Sequence, residues 1–131
     1  MPARVLSILE TGHRATIEEQ DDTVVWFHHA LKGAGGSAAE LTVLLKGNAV
    51  NSAAKTQDAS GLAFGERRQT RPPKLDEDVA SLARKGVALL AIEEDVARYG
   101  LQKSDLIPEV ELVSRARLPD LVAAHAQVWW W

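Results

Sequence analysis

The sequence predicts an α/β protein, a three-layer α/β/α sandwich built on a parallel five-stranded sheet. Three observations carry this reading. Apolar stretches at Val5–Leu9, Leu41–Leu45, Val87–Ile92, Val110–Val113 and Val128–Trp131 read as strands, and the first is a short run rather than an alternating one, which suits a strand covered on both faces. Segments of helical character fall between them, and right-handed crossovers then place helices on both sides of the sheet. The chain has 131 residues, 46% of them hydrophobic, enough for one core, so residues 1–131 are expected to form a single domain.

The elements follow in order. After the first run, Glu10 to Gln20 reads as a polar loop containing Thr11, Gly12, His13 and Arg14. Asp21 and Asp22 suit a helix start. Val24, Phe27, His28 and Leu31 share one helical face, and Lys32 with Gly33, Gly35 and Gly36 marks the stop. The second strand ends at Lys46-Gly47-Asn48, and Val50 to Lys55 reads as a turn of helix. From Thr56 to Pro73 there is little periodicity, so a long loop is expected. Asp76, Glu77 and Asp78 open the next helix and Arg84 and Lys85 close it, complementing its macrodipole. The third strand turns at Ile92 into a short helix, Glu93 to Tyr99, stopped by Gly100. A last helix lies within Arg115 to Ala126, with Pro119 in an early turn where proline is tolerated.

Composition narrows the function. The net charge of −3 gives no electrostatic reason to expect nucleic acid or an anionic membrane as partner. Without cysteine there is no disulfide, thiolate metal site or persulfide carrier. The first apolar run is broken by Glu10 and is too short for a signal core or a membrane span. A cytoplasmic protein is expected.

Several residue groups invite a chemical reading. Glu93, Glu94 and Asp95 stand at the carboxyl end of a strand, where open α/β sheets place ligands. They could serve acid–base work or a cation, but acids at a helix start are also ordinary stabilisers, and only one of the three should face inward. His28 and His29 are adjacent and lack the i, i+4 spacing of a helical zinc pair, so no metal and no cofactor are expected. His13 lies in the loop after the first strand, placed to hold an anion or move a proton. The glycines from Gly33 follow a helix and precede a strand, the wrong order for a dinucleotide fingerprint. Arg67, Arg68, Arg71 and Lys74 form one basic cluster without interleaved aromatics. Trp129, Trp130 and Trp131 would alternate faces on a strand, and three such rings are too much apolar surface for a core this size alone; a subunit interface is expected to take part of it.

The run Ala91-Ile92-Glu93-Glu94-Asp95-Val96-Ala97-Arg98-Tyr99-Gly100-Leu101 is similar to the corresponding stretch of the DsrH/TusB branch of the DsrE/DsrF/DsrH (TusBCD-like) sulfur-relay family. It is followed, as there, by a strand (Val110 to Val113), a helix and a tryptophan ending. The front half resembles the DsrE branch. The resemblance implies a DsrE-like fold, homo-oligomers such as trimers or hexamers, or hetero-oligomers with DsrE-like paralogues, and a link to sulfur metabolism. It also implies that the carrier cysteine of DsrE-type proteins would stand at Ile92, which cannot become a thiolate. The expected protein is therefore a structural, binding or regulatory subunit rather than a carrier or an enzyme. Its ligand-facing residues would be Thr11, Gly12, His13, Asn48, Ile92, Glu93 and Glu94, with loops 11–14, 47–51 and 92–95 around a pocket. The competing expectation is an enzyme or small-anion binder using His13 with Glu93 or Glu94. A weaker one is RNA contact through Arg67 to Lys74.

Overall fold

A computed structural model describes residues 3–11, 23–33, 39–55, 57, 60–70, 72 and 74–131. Five parallel strands form the central sheet: β1 (Ala3–Leu9), β2 (Ala39–Leu45), β5 (Ala88–Ile92), β6 (Val110–Val113) and β7 (Gln127–Trp130), in the order β6-β5-β2-β1-β7. The helices are α1 (Thr23–Gly33), α2 (Leu75–Arg84), α3 (Glu93–Arg98) and α4 (Leu118–Ala123). The predicted sandwich with its five parallel strands is the observed fold.

Two apolar layers hold the sheet. On one face Val5, Leu41, Val43, Leu45, Leu89 and Ala91 pack against Val25 of α1, Val79 and Leu82 of α2 and Val96 of α3. On the other, Leu6, Ile8, Leu44 and Ile92 are fully buried, with Leu118 and Leu121 of α4 over them. The period of two along a strand explains the split: even-numbered residues of β1 face α4 and odd-numbered ones face α1. α2 begins with Asp76, Glu77 and Asp78 and ends with Arg84, each sign at the end of the helix dipole that it favours.

Two expectations need correction. The stretch from Thr56 to Pro73 is not without structure. Ala63–Phe64 (β3) and Arg67–Arg68 (β4) pair antiparallel around Gly65, a two-residue ladder too short to show a period. The turn expected at Val50 to Lys55 starts earlier, as a 3-10 helix over Gly47–Ala53. Its first residue, Gly47, has φ +57°, and a Cβ there would come within 3.2 Å of the Glu10 carbonyl oxygen, so this chain reversal needs glycine. On α1, His28 and also Val25 are buried and Phe27 and Leu31 are half-buried, while the Val24 side chain, like Asp21, Asp22, Gly35 and Gly36, lies outside the described residues.

Candidate functional site at the carboxyl end of the sheet

The sheet runs outward from β1 through β2 and β5 to β6, then returns to the other side of β1 with β7. The reversal falls between β1 and β7, and the crevice beyond the strand ends at such a point is where α/β sheets bind ligands. An open pocket of about 300 Å³ lies there, lined by Phe27, Trp129, Trp130 and Trp131.

Each indole is anchored within the protein. Trp131 Nε1 donates to Ser7 Oγ at 2.9 Å, and Ser7 Oγ lies 2.7 Å from His28 Nε2, both Ser7 and His28 being fully buried. Trp129 Nε1 donates to Gln127 at 3.2 Å. Trp130 Nε1 donates to Glu10 Oε2 at 2.5 Å, while Lys46 Nζ donates to Glu10 Oε1 at 3.0 Å and stands 5.5 Å from the Trp130 ring centroid. Trp129 and Trp131 both meet Phe27, with centroid separations of 6.4 and 5.7 Å. Trp130 points to the opposite face, as strand alternation requires. With their N–H groups committed, the rings turn mainly apolar surface toward the pocket.

A second group of contacts joins the ends of β2, β5 and β6. Asp95 is 2% exposed. Its Oδ2 accepts from the Gly47 backbone N–H at 2.8 Å, and its Oδ1 pairs with the Arg115 guanidinium. Glu94 is exposed, and both its oxygens lie 3.0 Å from the Arg115 backbone N–H. Glu93 is exposed. The inward acid of the three is thus Asp95, which fastens α3 to the turn after β2 and to the turn after β6.

The residues singled out from sequence separate on this surface. Ile92 is fully buried beside Leu6, Ile8 and Leu44. Thr11 and Asn48 are exposed, and the Asn48 carbonyl accepts from the Asn51 side chain at 2.9 Å. Gly12, His13 and Arg14 lie outside the described residues, as does Arg71 of the basic cluster. Arg67, Arg68 and Lys74 are exposed. His29 is held by α2: its Nε2 lies 2.8 Å from the Asp78 carbonyl, and Lys85 Nζ is 2.8 Å from its Nδ1. Among the described residues, no group of three or more His, Asp or Glu side chains could hold a metal ion, and no helix is long and apolar enough to cross a membrane. Sequence reasoning missed Glu10, Lys46, Ser7 and Arg115. Each lies at or near a strand's carboxyl end, but their partners are 20 to 124 residues away and no local spacing marks them.

Two of these contacts shift carboxyl titration. The Lys46 ammonium, and next the Trp130 N–H, hold Glu10 below the ordinary value of 4.5. The Arg115 backbone N–H does the same for Glu94, against a smaller opposing effect of burial. A carboxyl lowered in the folded state stabilises the fold above its unfolded value, and that contribution disappears as pH falls through the folded value. The urea midpoint is therefore expected to decline on acidification below about 4.5, and less steeply in the Glu10→Gln/Glu94→Gln double variant. Equal slopes in the two proteins would refute the assignment.

No family model and no curated protein sequence matches the chain. Solved structures do. The crystal structure of the ychN protein from E. coli aligns over 100% of this chain and 100% of its own, with a TM-score of 0.69 and 14% identity. The protein of unknown function MTH1491 from Methanobacterium thermoautotrophicum aligns over 95% of this chain and 96% of its own, with a TM-score of 0.62 and 17% identity. At such identities a likeness speaks for architecture alone, and the architecture of this chain is the DsrE-like α/β sandwich.

Proposed function

We propose that this protein is a non-carrier member of the DsrE-like group: a small cytoplasmic oligomer subunit with a structural, binding or regulatory role linked to sulfur metabolism. The observation that carries the proposal is the state of the end of β5. The position that resembles the carrier's cysteine is Ile92, fully buried in an apolar layer, and the chain has no cysteine at all. Sulfur relay needs a thiolate that can be reached, so the polypeptide itself cannot carry persulfide sulfur. What the same end of the sheet offers instead is aromatic surface. Trp130 is 53% and Trp131 42% exposed, and tryptophan is enriched in subunit contacts. Partners would be further copies of this chain or DsrE-like paralogues.

Sedimentation velocity combined with tryptophan emission tests this reading. The expected result is an oligomer at about 10 µM with blue-shifted emission, since rings covered by a partner leave water. A monomer with water-quenched tryptophan at that concentration would remove the oligomer reading.

A further inference from the structure

The two edges of the sheet are built differently. β6 carries the exposed Glu111 in its middle, with Pro108 and Glu109 just before it. Charges and prolines at an edge discourage pairing with another chain. β7 has no such device. From Gln127 to Trp131 there is no charged residue and no proline, and Val128, Trp130 and Trp131 are 38%, 53% and 42% exposed. Its pairing with β1 is parallel, and Trp131 gives both its N–H (to Ile8, 2.9 Å) and its carbonyl (to Glu10, 3.1 Å) to that neighbour. The two-residue period then turns the N–H and C=O groups of Val128 and Trp130 outward. No strand pairs with this outer side among the described residues.

We infer that the outer edge of β7 pairs antiparallel with β7 of a second copy, joining two sheets into one across a two-fold axis at Trp129. This rests on the oligomer reading above and names its contact. The register follows from the geometry. With the axis at Trp129, Val128 lies opposite the partner's Trp130, and the two exchange both backbone hydrogen bonds. The symmetric pair doubles this to four. Val128 and the partner's Trp130 then share a face, an aromatic pair with a β-branched residue of the kind that stabilises antiparallel strands. Charge supports a second copy as the occupant. The chain is net negative, yet the paired segment contains no ionisable side chain, and Glu10 beside Trp130 is neutralised by Lys46. Self-pairing therefore brings no like charges face to face. A two-fold contact also fixes parity: the assembly holds an even number of copies.

Three variants and one measurement test it. Val128→Pro removes an outward N–H that β1 does not use, a position where an edge strand tolerates proline. Val128→Lys places two like charges near the new axis. Val122→Lys changes an exposed residue of α4 and is the control. The expected result is an even-numbered wild-type oligomer by native mass spectrometry, with self-association weakened about tenfold or more in both Val128 variants and unchanged in the control. Far-UV circular dichroism reports whether each variant folds. If the Val128 variants unfold, hydrogen exchange on the wild type decides. Amides of Val128 and Trp130 that become protected as concentration rises support the pairing; amides that exchange equally fast at all concentrations overturn it. A trimer, or an oligomer indifferent to both Val128 variants, overturns the edge pairing and leaves the oligomer reading standing. A monomeric wild type overturns both.

Discussion

Leu44→Ala is expected to lower the unfolding free energy by about 3–4 kcal/mol, the larger part of a typical loss for a buried leucine. Leu44 lies on β2, the middle strand, and is fully buried with Leu6, Ile8 and Ile92 in the layer under α4. That layer is small and its cover is a six-residue helix. Removing three carbons leaves a void between a hydrogen-bonded sheet, which cannot close on it, and a helix held by only a few side chains such as Leu118 and Leu121. Against a total stability of roughly 5–15 kcal/mol for a domain, this is a large share. Urea titration followed by circular dichroism measures it. A loss under about 1 kcal/mol would mean that α4 settles into the space and that this face is not tightly packed.

Asp95→Ala is the second large effect, at about 2–3 kcal/mol. The carboxylate is buried and accepts from Gly47 while pairing with Arg115. Alanine leaves the Gly47 N–H without its acceptor and frees α3 from two loops at once. Asp95→Asn keeps an acceptor for Gly47 and gives up the charge, so it should fall between alanine and wild type. Arg115→Ala should cost less, about 1 kcal/mol, because the Arg115 side chain is half exposed and water can replace it at the carboxylate. Equilibrium unfolding of the three variants gives the order directly. Were Arg115→Ala the most damaging, the anchoring role assigned to Asp95 would be wrong.

The fold was legible because its signals are local. Apolar stretches, acids at helix starts, and glycines at helix stops each concern neighbours a few residues apart. They gave five strands and the α/β class. The hairpin of β3 and β4 was not legible, since two-residue strands have no period to detect. At the site, the two-residue period of a strand is enough to separate Trp130 from Trp129 and Trp131. Which of Glu93, Glu94 and Asp95 turns inward was not legible, because that depends on Gly47 and Arg115, 48 and 20 residues away along the chain.

The sequence by itself determined the layer architecture, the absence of any thiol chemistry, and the presence of more tryptophan surface than one small core can use. Only the tertiary structure decided the strand order, with its reversal between β1 and β7, the inward acid, and the burial of Ser7 and His28 beneath Trp131. It also showed that one sheet edge carries a glutamate and the other carries none. The physical reason is range. Hydrophobic period and helix capping act within a turn or a strand, whereas hydrogen bonds such as Trp131 to Ser7 join residues 124 positions apart, which the chain brings together only when the whole sheet closes.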